Sequence, residues 1–302
     1  MRSLQYPYPD LNAILKKDGW VPGVGAINGT QWHIANPQAN DFMRSIKKGT
    51  LTLKEYVDGK LFYGIKTGRN EAFFIDDNIR NQIVKKDKNS SRIIHKLAIG
   101  TNIRRWSINY NNQWIIFARR GIDIENYPGV LDHLSKFRDL LEPKPRKWTS
   151  DHEWLGRKAG NYKWYEIQDE VAYWQSFKTN KIVFPVIAKE SRFAYDKHKL
   201  FINDKGFIIP SDDLYLLGIL NSPTVWRYLE NACSVLGDQD AGGRLELRGV
   251  HVEGLPIPNT NQRSKQRVVD IVQEIINENP IDIISLEQEL FLEIEKIYGG
   301  SI

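Results

Sequence analysis

A chain of 302 residues, 41% of them apolar, is long enough for one large domain or two moderate ones around a real core. It holds no run of about 18 apolar residues and opens without the basic-then-apolar order of a signal peptide, so neither a membrane span nor a secretory leader is expected and a cytoplasmic location is; the single Cys233 excludes an internal disulfide framework and, with no CxxC pair, the common structural zinc sites. The net charge of +5 is uneven: from Arg263 onward four basic residues face eight acidic ones, leaving residues 1 to 262 at 38 basic against 29 acidic, a body of +9 and a tail of −4 that point to a polyanion for the first and a protein for the second.

Residues 1 to 35 mix Pro, Gly and aromatics and read as turns and short strands, with a short helix around Asn12 to Lys17. From Asn40, Phe42 and Ile46, then Leu51, Leu53, Tyr56 and Val57, give helical spacing interrupted at Gly49, which predicts two helices. KLFYGIKTG, EAFFID, KLAIGTNIRRW and QWIIFARRG are β-branched or aromatic runs between turn signals, expected as strands of one sheet. A helix is predicted over Val130 to Leu141, ended by Pro143. The stretch from Glu142 to Lys163 differs in kind, with six basic residues, three acidic ones and little apolar periodicity, and reads as a long loop of the sort that is usually functional or disordered. Strands return at KIVFPVIA, FAYD, KLFIN and GFIIP, followed by a buried helix broken at Pro223. In the tail, Val268, Ile271, Val272, Ile275 and Ile276 form one stripe and Leu286, Leu290, Ile294 and Ile297 another, with Asn279 and Pro280 between, so a helical hairpin is expected.

Enzyme signatures are sparse. A DNA adenine methyltransferase needs a glycine-rich turn after a strand for its adenosyl cofactor and an Asn/Asp-Pro-Pro-Tyr/Phe tetrad for the flipped base. Gly23-Val24-Gly25 has no strand before it, and Asn36-Pro37 and Asn279-Pro280 continue with Gln and Ile. Asp10, Asp58 and Lys60 have the residue types of a magnesium-dependent nuclease, at a spacing that coincidence readily supplies in a chain with 26% charged residues. Cys233 and His251 lack any local nucleophile signature, and a lone Cys in an apolar context is usually a packing residue.

One ordered set of motifs goes further. Gly64-Ile65-Lys66-Thr67-Gly68-Arg69-Asn70-Glu71-Ala72-Phe73, Gly100-Thr101-Asn102-Ile103-Arg104-Arg105-Trp106, Lys163-Trp164-Tyr165-Glu166, Lys181-Ile182-Val183 and Leu217-Gly218-Ile219-Leu220-Asn221-Ser222 resemble, in that order, the TaqI-like C-terminal specificity domain of type II restriction-modification methyltransferases. Gly254-Leu255-Pro256-Ile257-Pro258 before a helical pair also resembles the end of a target recognition domain in type I specificity subunits. The resemblance implies a module that grips double-stranded DNA and reads bases in the major groove. Catalysis, with S-adenosylmethionine and magnesium, is then expected only in associated methyltransferase or nuclease domains or subunits, and no cofactor on this chain.

The fold expected is mixed α+β: an N-terminal segment (1–44) packing on the body, a twisted-sheet recognition domain with flanking helices (45–260), and the helical hairpin (261–302). Lys66, Thr67, Arg69 and Asn70 are the candidates for the DNA-facing turn, since amide and cationic donors suit base edges and phosphates. Arg104 with Arg105 and Arg119 with Arg120 are read as strand residues pointing to opposite faces, one of each pair toward DNA. Lys144, Arg146, Lys147, Arg157 and Lys158 are phosphate candidates in the long loop, and Trp148, Trp154 and Trp164 are candidates to pack on sugars or wedge at a base step. Two other readings stand beside this one: a nuclease built on Asp10, Asp58 and Lys60, and a subunit whose tail helices dock it on a catalytic partner, with Leu290 and Ile294 in that interface.

Overall fold

Alternation between β-branched or aromatic runs and amphipathic segments gives a chain of many short elements. The computed structural model describes residues 37–237, 243–277 and 282–299, together with positions 10, 12, 13 and 16. The Gly23-Val24-Gly25 turn and the Asn279-Pro280 connection lie outside the described residues, as does half of the helix expected at Asn12 to Lys17.

Helix α1 (Pro37–Ser45) is followed by β1 (Thr50–Thr52) and α2 (Leu53–Tyr56). Thr52 caps α2 reciprocally: its hydroxyl accepts from Glu55 N at 3.2 Å, and the Glu55 carboxylate accepts from Thr52 N at 2.8 Å. Next come β2 (Phe62–Tyr63), α3 (Asn70–Phe73), β3 (Phe74–Ile75), α4 (Asp77–Lys86), β4 (Ile94–Ala98) and β5 (Trp114–Ile116). The helix expected over Val130 to Leu141 is two, α5 (Pro128–Ser135) and α6 (Arg138–Leu141); Phe137 between them takes φ −110°, ψ 10° and bonds back to Leu134 O at 2.9 Å. After a long irregular stretch come β6 (Lys181–Pro185), β7 (Ile187–Ala188), β8 (Ala194–Asp196), β9 (Phe201–Ile202) and β10 (Gly206–Ile209). Pro223 separates α7 (Leu214–Leu220) from α8 (Pro223–Ala232) by opening the second helix, where its missing N–H is no loss, and Ser222 Oγ caps Val225 N at 3.2 Å. The chain closes with β11 (Ser234–Leu236), β12 (Arg244–Glu246), α9 (Gly249–Glu253), β13 (Pro256–Pro258), α10 (Gln262–Ile275) and α11 (Ile283–Ile297).

These elements fall into two units, one made of residues 1–59, 187–191 and 214–302, the other of 60–186 and 192–213. The division differs from the expected 1–44, 45–260 and 261–302: the segments 45–59 and 214–260 belong with the tail helices. In the first unit, β1 pairs antiparallel with β13 and β11–β12–β7 form a small sheet. Val268, Val272, Leu290 and Ile294 are buried, and Gly218 of α7 sits beneath them; a Cβ there would lie 2.9 Å from Val268 and 3.0 Å from Val272. The apolar stripes of the tail therefore serve their own unit. That corrects the expectation that Leu290 and Ile294 face a partner.

The second unit holds two four-stranded sheets, β2–β10–β6–β8 and β3–β5–β4–β9, antiparallel except for the parallel β4–β9 pair. The single sheet expected for the first four strand runs is thus corrected: KLFYG pairs with β10, far along the chain, while EAFFID, KLAIG and QWII pair among themselves. Phe73, Leu97, Ile115, Phe177 and Phe201 are in its core. Inside it, Lys181 of β6 meets Asp196 of β8 at 2.6 Å with both side chains fully buried, and Lys181 Nζ also donates to Phe177 O at 2.9 Å. Asp196 in turn accepts from His198 N and Leu200 N at 2.9 and 2.8 Å, so the pair is hydrogen-bonded on both sides, as a buried ion pair must be.

Candidate functional site

The motif residues of the second unit converge on one side chain. Arg157 is 3% exposed and satisfies all five of its N–H donors on backbone carbonyls: Leu141 O at 2.8 Å, Thr67 O at 2.9 Å, Glu166 O at 2.7 Å, Lys163 O at 3.2 Å and Trp164 O at 2.8 Å. Its guanidinium also lies over the Tyr162 ring, 4.4 Å from the centroid. Burial pulls its pKa down to about 10, still far above neutrality, with Tyr162, Glu166 and Glu142 acting in the opposite direction. Arg157 was expected to meet phosphate. Instead it ties the long irregular stretch to the Thr67 turn, because a buried cation must be fully partnered.

Around that tie, three loops run side by side. Ile167 N bonds to Ala118 O at 2.8 Å, Gln168 N to Thr67 O at 3.1 Å and Asp169 N to Lys66 O at 3.2 Å, so residues 166–169 lie between the 118–121 and 66–67 turns. Glu166 fastens the same place, accepting from Gly121 N and Lys163 N at 2.8 Å each. Gly68 has φ +82°, and a Cβ there would lie 2.9 Å from Cδ of the pinned Arg157, so both conformation and space favour glycine.

The candidate residues separate by exposure. Thr67 is fully buried and faces inward, its hydroxyl donating to Asn70 Oδ1 at 2.8 Å and accepting from Arg69 N at 3.2 Å. Its expected place on the outer surface of the turn is corrected accordingly. Lys66 and Asn70 are exposed. Arg69 pairs with Glu71 at 3.2 Å and reaches Leu155 O at 3.2 Å. Arg104 and Arg105 do not lie on a strand: Arg104 N bonds to Ser107 O at 2.9 Å in a tight turn that places Trp106 at φ +71°, so strand alternation does not apply to them. Arg119 and Arg120 likewise follow the end of β5; Arg120 donates to Gln168 O at 2.8 Å and lies 3.7 Å from Glu170. In the stretch after α6, Lys144, Lys147 and Lys158 are exposed and, among the described residues, make no ion pair, while Arg146 donates to Asn161 Oδ1 at 2.7 Å.

The tryptophans have other surroundings than expected. Trp148 and Trp154 meet edge to face, 4.7 Å between centroids, with their indole N–H groups donating to His152 O and Glu142 O at 3.1 Å each. They line a groove of about 340 Å³ together with Asp139, Glu142 and Glu153. Three carboxylates therefore stand beside the pair in that groove. Trp164 lies under Arg138, 4.9 Å from the guanidinium carbon. Trp174 went unnoticed in the sequence, although Lys178 one helical turn later was the signal: Arg119 Cζ lies 4.9 Å and Lys178 Nζ 4.7 Å from its ring centroid.

Among the described residues no group of three or more His, Cys, Asp or Glu side chains gathers where it could hold a metal ion, so Asp58 belongs to none; it turns the chain after α2 at φ 51°. Cys233 is buried, and desolvation pushes its thiol pKa up to about 12, which removes the thiolate that nucleophilic chemistry uses. No described helix is long and apolar enough to cross a membrane.

The electrostatics follow the two units. The second carries 27 lysines and arginines against 18 carboxylates, a net +9, which leaves −4 for the first. Among curated proteins, the chain is 26% identical over 247 residues to the type II methyltransferase M.MjaIV of Methanocaldococcus jannaschii, covering 76% of each. It is 24% identical over 282 residues to the type II methyltransferase M.BanIII of Aneurinibacillus aneurinilyticus, covering 87% of this chain and 45% of the relative. Among solved structures, the type IIL restriction-modification enzyme MmeI, determined in complex with DNA, has the same fold over 80% of this chain at a TM-score of 0.56 and 16% identity, and the chain spans 32% of that enzyme. Residues 95–257, more than half of the chain, match one family, and the chain therefore belongs to the TaqI-like C-terminal specificity domains.

Proposed function

We propose that this chain is the sequence-reading part of a restriction-modification system, holding duplex DNA so that an associated methyltransferase or nuclease acts at a chosen site. The family match over residues 95–257 carries the reading, and the charge of +9 on the second unit supports it. Exposed cations neutralise phosphates and release counterions, while a small number of amide and guanidinium donors discriminate base edges. In this reading Lys66, Lys144, Arg146, Lys147 and Lys158 meet the backbone. Asn70, whose amide oxygen is held by Thr67 and whose amide nitrogen remains to donate, reads a base beside Arg69, Arg104 or Arg105. Thr67 and Arg157 hold the loops that present these groups. S-adenosylmethionine, magnesium and the reacting atoms belong to the associated catalytic domains or subunits.

The test is selection from a randomised duplex pool by the full chain at several salt concentrations. Enrichment of one short sequence, with affinity falling as salt rises, is the expected result. Recovery of unenriched sequence with salt-insensitive binding overturns the reading.

A further inference from the structure

Trp174 opens a single turn of 3-10 helix, Trp174–Lys178, in the second unit. Two cations from different parts of the chain lie against its ring: Arg119, which follows β5, at 4.9 Å and Lys178, at the far end of the same turn, at 4.7 Å. Since both lie within 5 Å of one centroid, their charges are less than about 10 Å apart. Like charges at that separation repel, and proteins ordinarily place a carboxylate between them. Among the described residues neither Arg119 nor Lys178 has an ion-pair partner, and both are exposed. The neighbouring cation behaves differently: Arg120 meets Glu170 and Gln168 O.

The aromatic base is itself rigidly supported. Phe117 packs against Trp174 at 6.4 Å and edge-on against Phe201 at 5.1 Å, Phe201 stacks on Phe177 at 5.2 Å, and Phe177 and Phe201 are in the core. The ring therefore holds the charged ends of two long side chains without neutralising either, which lowers the entropy lost when they take hold of an anion. Two unneutralised cations on one ring are an arrangement for a doubly contacted anion.

We infer that Arg119, Trp174 and Lys178 form a phosphate clamp, with the indole as the platform and the two cations on the DNA backbone; the inference rests on the duplex-binding reading above. Its contribution is to position the duplex rather than to read bases.

The experiment measures duplex affinity of the full chain against salt concentration for the wild type, Arg119→Gln/Lys178→Gln, Trp174→Leu, and the control Lys85→Gln/Lys88→Gln, which removes the same charge at and just after the end of α4. Melting temperature is followed in parallel. Loss of two phosphate contacts lowers the slope of log affinity against log salt by about 1.8 in the clamp double variant, while the control keeps the wild-type slope. Trp174→Leu retains both charges and is expected to weaken binding about three- to tenfold with its fold intact. A wild type that binds with a slope unchanged in the double variant overturns the clamp alone, as does a control that loses as much slope as the clamp variant. A wild type with no salt-dependent duplex binding overturns the duplex-binding reading and the clamp with it.

Discussion

At the scale of single residues, Arg157 does more for the architecture of the candidate site than any exposed cation. Its five hydrogen bonds reach carbonyls at residues 67, 141, 163, 164 and 166, so the guanidinium joins parts of the chain 90 positions apart. Arg157→Ala would strand those acceptors in the interior and is expected to cost about 3 kcal/mol or more of stability, because each buried carbonyl left unsatisfied costs about 1–3 kcal/mol. Arg157→Lys should recover only part of it, since three donors on a point charge cannot reproduce a planar fork; chemical denaturation of both variants measures this, and an Arg157→Ala chain as stable as wild type would contradict the buried tie. His95 gives a pH dependence. Its ring stacks on Phe201 at 4.1 Å, and burial, with Lys178 nearby, lowers its pKa from 6.5 to about 4; His133, hydrogen-bonded to Ala72 O at 3.1 Å, is lowered by burial too. The unfolded chain takes up protons below about pH 6.5 while the folded one does not, so stability is full above that pH and falls as pH drops toward 4. For His95 the loss is on the order of 1–2 kcal/mol once the partial exposure of the ring is allowed for. His95→Phe should flatten the fall in melting temperature between pH 7 and pH 5.

Among the elements, the tail hairpin shows how a correct periodicity can be assigned the wrong partner. Val268, Val272, Leu290 and Ile294 recur at helical spacing, and that pattern states only that one face is apolar. It does not say what covers the face; here it is α7, whose Gly218 lets α10 approach closely. A charge at Leu290 is therefore expected to unfold the first unit, since even truncation of a buried Leu costs about 2–5 kcal/mol. Charges at the exposed Ile284 (66% exposed) or Leu292 (59%) should leave the melting curve within about 0.5 kcal/mol of wild type, and comparable destabilisation at both kinds of position would contradict the packing. The same limit governed the sheets. Strand runs were legible in EAFFID, KLAIG and QWII because alternation and turns are local, whereas the partner of KLFYG lies in β10, more than 140 residues later, and no local signal names it. The β1–β13 pair is another such case: Thr50–Thr52 and Pro256–Pro258 are too short to read as strands, and their pairing is set by tertiary packing. In the candidate site, motif order pointed to loops that the fold brings side by side, while burial separates inward from exposed side chains. Thr67 and Arg157 carry the residue types of a contact surface and are structural; Trp174 and Lys178 lie outside the motifs and are exposed or partly so.

For the whole molecule, charge is the property that sequence and structure describe alike, with a different boundary. The excess of +9 read along the chain for residues 1 to 262 resides in residues 60–186 and 192–213, and the rest of the chain carries −4. If this segregation governs DNA association, the salt dependence of binding depends on exposed cations of the second unit and is indifferent to carboxylates of the first. Replacing Lys144, Arg146, Lys147 and Lys158 by Gln removes four exposed charges from one irregular stretch whose anchor, Arg157, is left untouched. The slope of log affinity against log salt should then fall by as much as about 3.6, with the loss shared by every duplex sequence, because phosphate contacts carry no base information. Asn70→Ala should do the reverse, leaving the slope in place while narrowing the gap between preferred and other sequences by about 1–3 kcal/mol. Replacing Glu287 and Glu295 of α11 by Gln should change neither quantity. A fall in slope from the carboxylate variant equal to that from the four-cation variant would mean that net charge alone draws the protein to DNA, and that no face of the second unit is dedicated to it.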